Sequence, residues 1–254
     1  MSTTKAIAAA LRRPRPISAS AVSWKYKVTP PREAAVVLPL FRPLVANQPN
    51  QPLHVLFTVR SSSLRSHHGE IAFPGGMRDP TDASLYAAAV REVHEELGLR
   101  ISPLEDAPCV LGTLTPLPDK SLTKSVHAFV VDLGDLDLAT SVQPGPDEVA
   151  AVFSLPLTYL TDPANVRSYP PAPLDASPKT RLISMGRRTY WPVPADTDMW
   201  MPDAQGMVKR VSKAELVRLI TGGGGNAFDD AGSDDLDVWG LTAFFLKEFV
   251  SVVK

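Results

Sequence analysis

Three glutamates stand close together in the segment REVHEELG, which covers residues 91–98. On a helix, at about 100° per residue, Glu95 and Glu96 lie on either side of Glu92 and within roughly 60° of it. Like charges at this spacing repel one another, so the three carboxylates need a positive partner. A dense set of oxygen ligands suits a hard cation such as Mg²⁺ or Mn²⁺. The pattern therefore indicates a metal site, and the alternative is an acidic face that structural salt bridges neutralise.

A magnesium site with few carboxylates usually completes its shell with water and substrate phosphates. Because a metal offsets phosphate charge and activates water, the pattern favours phosphate-ester or diphosphate chemistry. Gly75 and Gly76 precede the acidic segment and allow a tight bend with close backbone approach. A carbonyl oxygen of Gly76 is a candidate additional ligand.

A helix over residues 84–97 is expected to carry these carboxylates. We expect Asp82 to be its N-cap and Gly98 to be the C′ glycine that ends it. Apolar residues recur at three- and four-residue spacing and form one stripe, namely Tyr86, Ala89, Val90, Val93 and Leu97. The acidic face lies beside this stripe, so the carboxylates should stand at the margin of the buried surface.

Most of the other readable segments are predicted to be strands. Residues 34–41 and 53–60 are rich in β-branched and apolar residues and flank a Pro/Asn/Gln turn, which favours a hairpin. Residues 69–76 form a short strand, and residues 147–160 are predicted to pass from strand to helix. Residues 161–235 are Pro-rich and form a predicted insertion in a single domain over 33–254, with a helix over 212–220 that begins with a capping box.

The composition narrows the class of protein. A formal net charge of −1 argues against binding to nucleic acid through phosphate neutralisation. No apolar run reaches the roughly 18 residues that span a bilayer, so we expect no membrane segment. The single Cys109 rules out an internal disulfide. A homodimer is compatible with the sequence.

Residues 1–32 contain seven basic residues and no acidic one. This composition is typical of a mitochondrial transit peptide, and the alternative is a disordered basic tail. The expected location is the mitochondrial matrix, with the cytosol or the peroxisome as alternatives.

The segment GGMRDPTDASLYAAAVREVHEELGL, residues 75–99, resembles the signature box of the Nudix hydrolases. Its second half agrees with the box at every defined position from Arg91 to Leu99. Its first half departs, because Asp82 stands where the box has a glutamate and eight residues instead of seven separate it from Arg91. This departure, together with LFTVRSSSLRSHHGEIAFPGG over residues 56–76, is similar to the coenzyme A diphosphatase branch.

The resemblance implies an α/β/α sandwich with a mixed β-sheet. It implies hydrolysis of coenzyme A or acyl-CoA to phosphopantetheine and adenosine 3′,5′-bisphosphate with Mg²⁺ or Mn²⁺. Glu92, Glu95 and Glu96 would hold the ions, and Glu92 or Glu95 would act in catalysis. Arg91 would orient the box by pairing with Asp82, although the shorter aspartate leaves this pairing open.

Several residues outside the box are candidates for substrate binding. Arg60 and Arg65 carry guanidinium groups that match phosphate oxygens. His67 is expected to hydrogen-bond within its loop or to substrate. Glu148 lies in a Gly-Pro loop where many Nudix relatives carry a catalytic or ligating glutamate.

Other functions remain open at this point. The same chemistry could act on ADP-ribose, NADH or a nucleotide sugar. A non-catalytic Nudix-fold binding module is a further alternative, but such modules usually lose box glutamates and here all three are present.

Overall fold

The computed structural model describes residues 3–12, 27–45, 51–64, 67–119, 121–168, 189–203, 207–220 and 236–254. Helices within these ranges are α1 (Thr3–Leu11), α2 (Leu85–Leu97), α3 (Leu138–Ser141), α4 (Leu157–Thr161), α5 (Lys213–Ile220) and α6 (Gly240–Val253). Strands are β1 (Arg32–Pro43), β2 (His54–Arg60), β3 (Ile71–Ala72), β4 (Gly75–Met77), β5 (Val110–Thr113), β6 (Leu117–Pro118), β7 (Lys124–Leu136), β8 (Val149–Pro156), β9 (Trp191–Pro192), β10 (Asp198–Pro202), β11 (Val208–Ser212) and β12 (Asp237–Val238).

A mixed sheet forms the centre of the fold. Its strand order is β11-β10-β8-β2-β1-β7-β5, with β3 paired to β2, β4 to β1 and β6 to β7. The neighbours β1 and β7 run parallel, whereas β1 and β2 form the expected antiparallel pair, with Leu40 opposite Val55. A crossover through α2 lies between β1 and β7, as a parallel pair requires.

Helices cover both faces of this sheet. Alternate residues of β1 point to opposite faces, so Ala35 and Val37 pack with the apolar stripe of α2 while Leu38 packs with α1 and α6. The α/β/α sandwich predicted from the sequence is therefore confirmed.

Helix α2 agrees with its prediction except at its first turn. The N-cap is Ser84, whose hydroxyl accepts a hydrogen bond from the Ala87 amide at 3.0 Å, so the assignment of Asp82 to the cap was wrong. The carboxylate of Asp82 is instead bound by Arg91. Gly98 ends the helix with φ of 68°, the left-handed conformation expected of a C-terminal glycine.

The described parts of the predicted 161–235 insertion add to the sheet. Strand β10 pairs with β8 through Trp200 and Val152, and β11 pairs with β10. The predicted helix over 212–220 is present as α5. Residues 169–188, 204–206 and 221–235 lie outside the described ranges.

Part of the basic N-terminal segment is helical and packs on the core. Within 1–32, helix α1 buries Ile7 and Leu11, which are one turn apart and therefore share a face. Leu11 fits against Gly112 of β5, where an added Cβ would lie 2.8 Å from the Leu11 Cβ. Residues 13–26 lie outside the described ranges, and the targeting role of the segment stays a prediction.

We expect Leu11→Ala to destabilise the protein by about 2 to 3 kcal/mol, because it removes a buried side chain and leaves a cavity beside Gly112. Lys5→Ala changes an exposed residue of the same helix and is the matched control. Urea unfolding followed by circular dichroism measures both variants. Equal midpoints for the two would contradict the packing of α1 on the core.

Among the described residues, none of the helices has both the length and the apolar character needed to span a bilayer.

Candidate metal centre

The two glycines of β4 bring α2 into direct contact with the sheet. Gly75 has φ of 146°, and an added Cβ would lie 2.3 Å from the Ala35 carbonyl oxygen. At Gly76 an added Cβ would lie 2.5 Å from the carboxylate carbon of Glu92. The Gly75 amide also donates a hydrogen bond of 3.1 Å to Oε2 of Glu96. The absence of a side chain at Gly76 therefore makes room for the carboxylate of Glu92, and the Gly75 amide binds the carboxylate of Glu96.

The loop before β8 adds a third carboxylate. The Gly145 amide donates to the Glu96 carbonyl at 2.9 Å, and the Gln143 amide donates to the Leu97 carbonyl at 2.8 Å, so the loop caps the C-terminal end of α2. The following turn presents Glu148. One carboxylate oxygen from each of Glu92, Glu96 and Glu148 can be chosen so that all three lie within 4.8 Å of one another.

Burial makes this group of carboxylates costly without a positive charge. Glu96 is only 5% exposed, and burial raises its pKa to about 8. The Gly75 amide and the charge of Arg60 oppose this increase, whereas Glu92 and Glu148 add to it. Burial also raises the pKa of Glu92. In the absence of a cation, repulsion and desolvation thus favour the protonated form of the most buried member.

The donor set fits a hard divalent cation. It consists of carboxylate oxygens only. It combines a buried, a half-buried and an exposed side chain, and burial raises the pKa of Glu96 and of Glu92. Oxygen ligands of this kind suit Mg²⁺ or Mn²⁺. Glu92, Glu96 and Glu148 are therefore the described residues that would hold such an ion.

The raised pKa of Glu96 predicts a dependence of stability on pH. Between pH 4.5, the ordinary value, and about 8, the folded protein keeps a proton that the unfolded chain has lost. Without metal, the contribution of this group to stability is therefore full below pH 4.5 and is lost as the pH rises to about 8. Thermal unfolding in EDTA across this range should show a steeper decline for the wild type than for Glu96→Gln. Parallel curves for the two proteins would contradict the assignment.

The family of the chain follows from a comparison of its sequence with known families. The family profile described as NUDIX domain matches residues 32–174, which include α2, β4 and the Glu148 turn. The chain belongs to the Nudix family. The match covers more than half of the chain and confirms the resemblance drawn from residues 75–99.

Two curated Nudix relatives carry the name Uncharacterized Nudix hydrolase NudL. The protein from Enterobacter sp. (strain 638) is 42% identical over 127 residues, a match that covers 50% of this chain and 58% of the relative. The protein from Escherichia coli O1:K1 is 42% identical over 126 residues, and this match also covers 50% of this chain and 58% of the relative. The chain thus spans less than two thirds of the length of these curated relatives.

Solved Nudix structures are also similar to the chain. A MutT/nudix family protein from Enterococcus faecalis matches with a TM-score of 0.42 and 16% identity, over 74% of this chain and 56% of that chain. A C. elegans Ap4A hydrolase binary complex matches with a TM-score of 0.36 and 24% identity, over 50% of this chain and 81% of that chain.

Arg91 organises the Nudix box. Its Nε and Nη2 atoms each donate to Asp82 at 3.1 Å, so the pairing that the sequence left open is formed. Nη2 also donates to the Met77 carbonyl, and Nη1 donates to Glu92 at 3.1 Å and to Glu95 at 2.8 Å. The hydrogen bonds from Arg91 hold the pKa of Asp82 below its usual range. The shorter aspartate therefore preserves a link between the loop, β4 and α2.

The three box glutamates occupy different environments. Glu92 and Glu96 converge with Glu148, whereas Glu95 has a side chain that is 53% exposed and is paired with Arg91. Glu148, which the sequence suggested as a substrate-binding residue, thus stands among the candidate ligands. The preceding Gly145 and Pro146 were the sequence signal for a functional loop.

Two of the other predicted substrate contacts, Arg60 and His67, lie near the same end of β2. The Nε atom of Arg60 is buried and has no hydrogen-bond partner among the described residues. His67 contacts Oε2 of Glu70 through Nδ1 at 3.0 Å, and this hydrogen bond raises the pKa of His67. Lys124, which the sequence did not single out, lies close enough for its charge to lower the pKa of His67. Arg65 lies outside the described residues.

Proposed function

We propose that this Nudix protein hydrolyses the diphosphate bond of coenzyme A or acyl-CoA in a reaction that depends on Mg²⁺ or Mn²⁺. The products would be phosphopantetheine, or its acyl derivative, and adenosine 3′,5′-bisphosphate. The observation that supports the chemistry is the convergence of the carboxylates of Glu92, Glu96 and Glu148 within 4.8 Å. The similarity of residues 56–76 and of the Asp82 region to the coenzyme A diphosphatase branch supports the choice of substrate.

Each group in the centre has a distinct task in this proposal. When bound, the divalent cation offsets the negative charge of the diphosphate and lowers the pKa of a water molecule. Glu92 and Glu96 on α2 and Glu148 on its turn would hold the cation. Glu92 is the first candidate to accept the proton of the attacking water, because its carboxylate would stand beside the cation that activates this water. Glu95, exposed and paired with Arg91, is the second candidate for this step.

The substrate would be oriented by cationic groups beside the carboxylates. Among the described residues, the buried Nε of Arg60 has no hydrogen-bond partner, and a phosphate oxygen would satisfy it. Water adds to one phosphorus atom, the bond from that phosphorus to the bridging oxygen breaks, and the leaving phosphate keeps the bridging oxygen. The protein supplies positioning and electrostatic stabilisation, and it forms no covalent intermediate.

A substrate panel tests the proposal. Purified protein with Mg²⁺ or Mn²⁺ is incubated with coenzyme A, acetyl-CoA, ADP-ribose, NADH and a nucleotide sugar, and the products are identified by mass spectrometry. We expect the highest kcat/KM for coenzyme A or acetyl-CoA and no turnover in EDTA. A preference for ADP-ribose, NADH or the nucleotide sugar would keep the reaction class and overturn the substrate. Binding without turnover would favour a non-catalytic module.

A mitochondrial location remains a separate proposal, with the cytosol or the peroxisome as alternatives. It is supported by the basic composition of residues 1–32. Microscopy of the full chain with a C-terminal fluorescent protein, compared with a variant in which Lys5, Arg12, Arg13 and Arg15 are replaced by glutamine and the buried Ile7 and Leu11 are kept, tests it. Equal distribution of the two proteins would contradict a targeting role.

A further inference from the structure

The turn that carries Glu148 is bound by a short serine segment at the end of β2. The hydroxyl of Ser61 donates to the Pro146 carbonyl at 3.0 Å, and the hydroxyl of Ser63 donates to the Asp147 carbonyl at 2.7 Å. The Ser61 amide donates to the Glu148 carbonyl at 2.9 Å. Three successive carbonyl groups of the turn therefore accept hydrogen bonds from two serines.

The two serines also support each other. Their hydroxyl oxygens are 3.0 Å apart, and Ser61 is only 6% exposed, so its hydroxyl is held in a protein environment with little competition from water. On the other side of the turn, the Gly145 amide binds the Glu96 carbonyl. The turn is thus fixed between α2 and the serine segment.

These hydrogen bonds fix the backbone position from which the side chain of Glu148 extends. The side chain of Glu148 is exposed and has no apolar packing of its own, although the next residue, Val149, is buried in the core. Loops of this kind are mobile unless their backbone groups are bound. A shift of about 1 Å in a functional group can change rates by about 100-fold, so small changes in the turn would matter for a three-carboxylate centre.

We infer that Ser61 and Ser63 are positioning residues that hold Glu148 within reach of the cation bound by Glu92 and Glu96. The inference rests on the proposed function, which makes Glu148 a ligand. The serines act through the backbone of the turn and do not contact the substrate.

The first test measures Mn²⁺ affinity by isothermal titration calorimetry without substrate. We expect the double variant Ser61→Ala/Ser63→Ala to weaken Mn²⁺ binding by about tenfold, the lower end of what residues that orient metal ligands contribute. Ser62→Ala replaces the exposed serine between them and should leave the affinity unchanged. Ser63→Thr keeps a hydroxyl at the exposed position and should retain most of the affinity. An unchanged affinity in the double variant would overturn the inference.

A double-mutant cycle separates positioning from general stabilisation. In the Glu148→Gln background, the serine substitutions should cause no further loss of Mn²⁺ affinity, because the group that they position is already impaired. The same tenfold loss in both backgrounds, or a loss that only follows a lower melting temperature, would contradict the inference. Hydrolysis is assayed separately. If the effects of the serine substitutions and of Glu148→Gln on Mn²⁺ affinity are coupled but coenzyme A is not hydrolysed, only the proposed function is overturned. If the wild type binds no Mn²⁺, the inference is overturned.

Discussion

Glu96→Gln is expected to lower the turnover of a diphosphate substrate by roughly two to three orders of magnitude, a loss of the size seen when one electrostatic group of a catalytic centre is removed. The fold should survive, because the amide oxygen of glutamine can still accept the hydrogen bond from Gly75. Burial raises the pKa of the Glu96 carboxyl to about 8, which favours its neutral form without metal, and glutamine resembles that form.

The measurements for this variant are kcat with saturating Mn²⁺, the affinity for Mn²⁺ and the melting temperature. Glu92→Gln should give a comparable loss of turnover, since Glu92 belongs to the same set of carboxylates. Glu105→Gln alters an exposed glutamate outside this set and is the control. Near-normal turnover in both Glu92→Gln and Glu96→Gln would end the assignment of the metal centre.

Substitution of the two adjacent glycines is expected to separate folding from metal binding. Gly75→Ala should destabilise the protein by about 3 kcal/mol or more, since φ of 146° is unfavourable for alanine and the new Cβ would meet the backbone of Ala35 and Val36. Gly76→Ala should fold, because its Cβ would meet the end of the Glu92 side chain, which can move aside. The displaced carboxylate should weaken Mn²⁺ binding and lower activity on the order of 100-fold.

Urea unfolding and Mn²⁺ titration of the two variants check this contrast. Gly134→Ala is the control for conformation alone, because Gly134 has φ of 73° and no atom lies within 4 Å of an added Cβ. It should lose only about 1 to 2 kcal/mol, the cost of the left-handed conformation. The prediction fails if Gly76→Ala keeps full Mn²⁺ affinity, or if Gly75→Ala is as stable as Gly134→Ala.

Local patterns were sufficient for the main elements around the site. The apolar stripe and Gly98 predicted α2, and the alternating segments predicted the pairing of β1 with β2. Such features depend on residues close in sequence, where propensity and periodicity act directly. Residues 75–99 also contain enough of the Nudix box to indicate the family from the sequence alone.

The start of α2 and the N-terminal segment were less predictable. Asp82 and Ser84 are both good N-cap residues, and the choice depends on Arg91, which binds Asp82 from nine residues away. An isolated helix of nine residues is marginal in water. Helix α1 is stabilised by the contact of Ile7 and Leu11 with the core, and Gly112 of β5 provides the space.

By itself, the sequence determined that α2 presents glutamates on one face, because helical periodicity is a local property. Only the tertiary structure decided which of them converge. Glu95 and Glu96 flank Glu92 almost symmetrically on the helix, and the packing of α2 on the glycines of β4 turns Glu96 inward and leaves Glu95 with Arg91. Glu148 joins them from 52 residues beyond Glu96, because backbone hydrogen bonds and two serines hold its turn against the end of the helix.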